Sequence, residues 1–197
     1  MLKRYTADHR IVNHDHISAT VPVVEQLMFL RRSGRVHRYH TEELIKPQDV
    51  AQHSYGVAWL CWQLYQGACP STVLIWALAH DAAEHATGDI PSPTKRALGI
   101  KGKVDSIEED LLAHNGIDLP QLYPAEAFVL KLADNLDGVL HVLHERELGN
   151  RTLTQAWVNY VSYVQEVIQE GLHDEAAAQA QAILNYAMER WNDIESK

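Results

Sequence analysis

Apolar residues recur along this chain at spacings of three and four, and they almost never alternate one on, one off. That pattern predicts helices and hardly any strand. A first helix is predicted over residues 20–32, with Val23, Val24, Leu27, Met28 and Leu30 as its apolar positions and Gly34 as its stop. Residues 35–48 are polar and irregular. Asp49 is placed to cap a long helix reaching to about Gln66, and Pro70 opens the next, which runs to Gly88. A loop with Pro91 and Pro93 follows, then helices over about 101–114, 125–148, 152–170 and 174–193. The expectation is an all-α protein of about seven helices in one domain spanning residues 21–197, preceded by a polar, His-rich N-terminal arm over residues 1–20.

One stretch breaks the ordinary apolar-in, polar-out arrangement. Residues 78–89 read Leu-Ala-His-Asp-Ala-Ala-Glu-His-Ala-Thr-Gly-Asp, with His80, Asp81, Glu84 and Asp89 crowded at the end of an apolar helix. Residues 73–79 just before them carry no charge, so the run is expected to be buried and to carry His80 and Asp81 inward. Burying an imidazole and a carboxylate without partners is costly, and a bound cation is one way to offset it. A buried hydrogen-bonded His80–Asp81 pair is the plainer alternative, but it leaves two other residues unexplained. His53 sits near the start of the long helix, in Val-Ala-Gln-His-Ser. Asp134 sits in an apolar helix, in Lys-Leu-Ala-Asp-Asn-Leu-Asp. Two imidazoles and two carboxylates suit a divalent transition metal, and helical bundles assemble such sites from facing helices. Asp137, three residues after Asp134, is placed to orient a ligand from behind.

The ordered set His53 … His80-Asp81 … Asp134 resembles the H…HD…D signature of the HD-domain superfamily of metal-dependent phosphohydrolases. The block from His80 to Lys95 is similar to the HD-x-x-E-x-x-T-G-D-[LI]-P-[ST]-P-x-K pattern of the bacterial HD-domain 5′-deoxynucleotidases. It is also similar to small phage HD proteins, some of which are deoxynucleoside triphosphohydrolases that remove dATP. The resemblance covers about residues 25–145. It implies an HD-domain helical bundle, a metal on His53, His80, Asp81 and Asp134, and release of phosphate from a deoxynucleoside 5′-monophosphate. A triphosphohydrolase with the same metal site, or a non-catalytic nucleotide-sensing module, are the alternatives. It implies Co²⁺, Mn²⁺ or Zn²⁺ as the metal, with Mg²⁺ an option for a triphosphate, and a homo-oligomer.

Charge on a phosphoryl group calls for cations nearby. Arg38 is the first candidate, since a guanidinium forks onto two phosphate oxygens and since the deoxynucleotidases carry an Arg-Trp pair where this chain has Arg38-Tyr39. Lys95 is the second; Arg35 and Arg96 read as solvated charges. Glu84 is a candidate to orient water or carry a proton. Asp89 could activate water, protonate the leaving oxygen or bind the sugar, or it could simply shape the turn before Ile90-Pro91. Tyr39 reads equally as a stacking partner for a base or sugar and as a packed loop aromatic. Trp59 and Trp62 read as core or subunit contacts.

Net charge narrows the partners. The chain has 17 basic and 26 acidic residues, a net −9, which argues against duplex nucleic acid but not against a small anion bound through a metal and local arginines. No apolar stretch reaches the ~18–20 residues of a membrane span. Cys61 and Cys69 form no metal-type spacing, and the start of the chain has no apolar signal segment, so a cytoplasmic location is expected.

Overall fold

Six of the seven predicted helices are present as single elements; the one expected from Pro70 to Gly88 is broken in two, and a further short helix follows it. The structure, a computed structural model, describes residues 21–171 and 174–196. Among these, the helices are α1 (Val23–Ser33), α2 (Val50–Leu64), α3 (Ser71–Ala79), α4 (Glu84–Thr87), α5 (Ser92–Ala97), α6 (Lys101–His114), α7 (Pro124–Glu147), α8 (Thr154–Gln169) and α9 (Asp174–Glu195). No strand forms among the described residues, where an isolated bridge pairs His37 with Asp49. The arm expected over residues 1–20 lies outside the described residues. No helix among those described is long and apolar enough to cross a membrane.

The central element is α7, which packs against α2, α3, α8 and α9. Phe128, Val129, Leu132, Leu136 and Val139 of α7 are fully buried with Val57 and Leu64 of α2, Val73 of α3, Val164 of α8 and Leu184 of α9. At about 1.5–3 kcal/mol for each fully buried large apolar side chain, this cluster holds the helices in register. A smaller cluster of Phe29, Ala79, Ala82, Ala83 and Leu112 joins α1 to α6 around the segment after α3.

Local caps then set the positions that matter. Asp49 accepts a hydrogen bond from the Gln52 N–H at 2.8 Å, and its own N–H donates to the Gln52 side-chain oxygen at 3.3 Å. This reciprocal cap fixes where α2 starts and holds His53 in its first turn. At the other end of the site, Glu126 in the first turn of α7 accepts from the Tyr123 N–H at 2.8 Å and from the Thr72 hydroxyl at 2.9 Å. The second bond ties α3 to the start of α7.

Several expectations need correction. The predicted helix to Gly88 is interrupted: α3 ends at Ala79, and residues 80–83 form a turn with i to i+3 bonds from the Ala82 N–H to Ala79 and from the Glu84 N–H to Asp81. Burial of Ala79, Ala82 and Ala83 in the second cluster draws the chain off the helical path. Asp81 and Glu84 therefore do not share one helix. The apolar run 73–79 is not buried all round either. Ile75 is 44% and Leu78 60% exposed, because α3 packs on the bundle from one side only. The same holds for α1, where Val23, Val24, Leu27 and Met28 are exposed and Phe29 and Ser33 are the buried positions. Trp59 and Trp62 lie exposed on the outer side of α2, which removes the core half of the reading given for them and leaves the subunit-contact half. The loop expected over residues 89–100 contains α5.

Candidate metal centre

His53 stands where α2, the turn after α3, and α7 meet. Its side chain is fully buried, whereas those of His80, Asp81 and Asp134 keep 14%, 21% and 26% exposure. His53 Nε2 lies 3.2 Å from His80 Nε2, 3.5 Å from Asp81 Oδ2 and 3.3 Å from Asp134 Oδ1, and His80 Nε2 lies 3.3 Å from Asp81 Oδ2. His53, His80 and Asp134 each offer a ligand atom within 4.8 Å of the others. The sequence-predicted quartet is thus gathered around one point.

The tautomers sharpen the picture. His53 Nδ1 is 2.7 Å from Asp137 Oδ2, and His80 Nδ1 is 3.1 Å from the Ala77 carbonyl. A carboxylate and a carbonyl only accept, so each Nδ1 carries a proton and each Nε2 is the ring atom left to meet a metal. Two Nε2 atoms facing each other at 3.2 Å, flanked by two carboxylates, make a place that suits a cation. The donor set, two imidazole nitrogens with carboxylate oxygens, fits a divalent metal.

The charges agree. Burial alone would raise Asp134, but Lys131, His53 and His80 outweigh it and hold the carboxyl well below the usual range. Asp81 is likewise held down, with His80, His53 and Arg38 overcoming burial. For His53, burial and Arg38 oppose a charge, yet Asp134, Asp137 and Asp81 raise its pKa above the ordinary value; the acidic groups that favour a proton on this ring favour a metal cation at Nε2 in its place.

The remaining predicted residues line up around this point. Glu84 is buried, its Oε2 has no hydrogen-bond partner among the described residues, and burial with the nearby Asp81 and Asp89 pushes its pKa up to about 9. Asp89 lies 3.9 Å from His40. Lys95 is 3.7 Å from Glu108 Oε1, so its ammonium already has an acidic partner. Arg38 is largely buried; its Nη1 donates to Gln48 Oε1 at 3.4 Å, and its pKa is raised, burial being overcome by Tyr39, Tyr160, Asp81 and Asp134. Arg35 and Arg96 are exposed, as expected of solvated charges.

Tyr39 departs from the picture of a free stacking face. Its ring is stacked on His141 at 5.0 Å, the Arg38 guanidinium lies 5.6 Å from its centroid, and its hydroxyl is 3.0 Å from that of Tyr160. It offers the site an edge. Tyr160 reaches this position from α8 because Gly138 leaves room on α7, where a Cβ would overlap the tyrosine ring.

Sequence reasoning missed Lys131, Gln48 and Tyr160. Lys131 Nζ donates to Asp134 Oδ2 at 3.1 Å and lies 5.2 Å from the Tyr163 ring centroid. It ties up one carboxylate oxygen and leaves Oδ1 facing His53. Its spacing of three before Asp134 was a readable signal. Gln48 and Tyr160 carried none, since their partners lie 89 and 121 residues away in sequence.

A helical bundle that brings a histidine from one helix, an adjacent His-Asp pair from a turn and an aspartate from a third helix to one point is an HD-domain arrangement. The chain matches the family described as 5′-deoxynucleotidase YfbR-like over residues 25–177, and it belongs to that family. It is 35% identical over 91 residues to the dATP triphosphohydrolase of Salmonella phage PMBT28, a match covering 40% of this chain and 47% of that protein, so the chain spans about half of that relative's length. It is 26% identical over 155 residues to the 5′-deoxynucleotidase of Vibrio cholerae, covering 64% of this chain and 77% of that protein. The Cyanophage S-2L HD phosphohydrolase, solved bound to dA and one catalytic Zn²⁺ ion, shares the fold with a TM-score of 0.58 at 19% identity, covering 89% of this chain and 98% of that one.

Proposed function

We propose that this protein is a metal-dependent phosphohydrolase of nucleotides that releases phosphate from a deoxynucleoside 5′-monophosphate. The observation that carries the metal is the facing pair of Nε2 atoms of His53 and His80, 3.2 Å apart between Asp81 and Asp134. The nucleotide follows from family membership and from the names of the relatives. Co²⁺, Mn²⁺ and Zn²⁺ are the ions to try. The cation, when bound, supplies Lewis acidity toward a phosphoryl oxygen and toward water.

The protein's own groups divide the remaining work. His53, His80, Asp81 and Asp134 hold the cation. Arg38 turns its guanidinium onto phosphate oxygens, and Lys95 exchanges Glu108 for the same oxygens. Glu84, a carboxyl whose burial beside Asp81 and Asp89 favours the protonated form, holds the proton that the leaving oxygen needs. Asp89, at the rim beside His40, orients water or the sugar, and the Tyr39 edge borders the sugar and base.

A second reading, a triphosphohydrolase with the same metal site, is favoured by the 35% identity to the phage dATP triphosphohydrolase. Purified protein incubated with dAMP, dATP and AMP, each with Co²⁺, Mn²⁺, Zn²⁺ or Mg²⁺, separates the two. Inorganic phosphate from dAMP supports the first, and tripolyphosphate from dATP the second. Binding without turnover of any nucleotide would turn the reading into a sensing module. His80→Ala and Asp134→Ala are expected to lose metal and activity together, and full activity in either contradicts the ligand assignment.

A further inference from the structure

One carboxylate oxygen connects two parts of the site that the proposed chemistry uses separately. Asp137 Oδ2 accepts from His53 Nδ1 at 2.7 Å and from Gln48 Nε2 at 3.0 Å, and Arg38 Nη1 lies 3.8 Å from it. The Gln48 side-chain oxygen accepts from Arg38 Nη1 at 3.4 Å, and the Gln48 carbonyl accepts from the Arg38 N–H at 2.9 Å. His53, Gln48 and Asp137 are all buried. Asp137 Oδ1 occupies the space where a Cβ on residue 56 would stand, so Gly56 is what lets the carboxylate come this close to α2.

We propose that Asp137 is a positioning residue that joins the metal half of the site to the phosphate-binding half. It sets the His53 ring through Nδ1, and it sets Arg38 through Gln48. The inference rests on the function proposed above. Its physical basis is that a hydrogen-bonded carboxylate behind a ligating histidine fixes the tautomer and the ring's orientation, and losing it costs about 10- to 100-fold in metal affinity or activity. The new element is the second arm. A buried guanidinium keeps several rotamers unless its donors are held, and Gln48 can hold Arg38 only while Asp137 takes the Gln48 amide hydrogens and thereby points Oε1 at the arginine. Severing the joint at Asp137 therefore loosens both halves, and severing it at Gln48 loosens only one.

The test uses the full chain stripped of metal and titrated with Co²⁺, followed by its visible absorption, together with steady-state kinetics on dAMP and dATP. Asp137→Asn is expected to weaken Co²⁺ binding by about 10- to 100-fold and to raise KM as well. Gln48→Leu is expected to raise KM by about 5- to 30-fold while Co²⁺ affinity stays within about twofold. A purely structural Asp137 would lower the yield of folded protein and leave Co²⁺ affinity and KM of the folded fraction unchanged, which overturns the proposal. So does a Gln48→Leu protein with wild-type KM, and that variant decides if Asp137→Asn is recovered unfolded. Wild-type protein that binds no Co²⁺ instead brings down the functional reading on which the proposal stands, a result distinguishable from either variant outcome.

Discussion

Glu84 is a carboxyl group that its surroundings keep protonated. Burial is the main cause, and Asp81 and Asp89 add to it while Lys95 and Arg38 pull the other way, leaving a pKa of about 9 against an ordinary value of 4.5. The folded state therefore binds more protons than the unfolded state between those two pH values. Stability from this group is full below about pH 4.5 and declines as pH rises toward 9. Glu84→Gln, which keeps the shape and cannot ionise, removes the decline. In urea unfolding with chelator present, the variant's advantage over wild type is expected to grow from pH 5 to 8.5 with a slope of at most about 1.4 kcal/mol per pH unit. Parallel stability curves for the two proteins would contradict the assignment. Adding a divalent cation should flatten the wild-type slope, since positive charge nearby favours the carboxylate. The same substitution should cost activity about 10²- to 10⁴-fold if Glu84 supplies the leaving-group proton.

Among the elements, the middle of the irregular segment before α2 is held by a buried acid. Glu145 of α7 is fully buried, and it accepts from the Ile45 N–H at 2.8 Å, the Lys46 N–H at 2.7 Å and the Asn150 amide at 2.8 Å. Asn150 in turn donates to the Glu43 carbonyl at 2.7 Å and is braced by Thr152. Burial works against the Glu145 charge, but the three donors outweigh it and lower the pKa. The clasp thus contributes fully above the ordinary carboxyl range and is lost as pH falls through the depressed value. Glu145→Gln turns an amide donor toward a backbone donor and should cost about 2–3 kcal/mol in denaturant unfolding. Amide exchange at Ile45 and Lys46 should accelerate. Protection of those two amides equal to wild type would show that the loop holds without the clasp. Nothing in the sequence announces this contact, which spans about a hundred residues. What was legible at this scale was local: the Asp49 cap, the Pro124 start, and His53 one turn inside α2. The break after Ala79 was illegible because Ala82 and Ala83 are strong helix formers, and only their burial against Phe29 and Leu112 turns the chain.

For the whole molecule, the ligand quartet acts as a cross-brace. His53 comes from α2, His80 and Asp81 from the turn after α3, and Asp134 from α7, so one cation would add a common joint to three elements that already meet through apolar contacts and the His53–Asp137 and Thr72–Glu126 hydrogen bonds. The ordered histidine and aspartate positions were readable because each is flanked by apolar residues at helical spacing. The one-sided burial of α1 and α3 was not, since an apolar run looks the same whether one face or all faces are covered. A ligand that binds only the folded state stabilises it by an amount set by its concentration over Kd, about 2.7 kcal/mol at a hundredfold excess. For a chain of this size that corresponds to roughly 5–11 °C in Tm. Metal-loaded protein should therefore melt that much higher than the same protein with chelator, and His80→Ala should melt at one temperature in both conditions. An unchanged Tm in protein shown to have lost its metal would mean that the quartet does not brace the bundle. A shift that persists in His80→Ala would place the metal elsewhere.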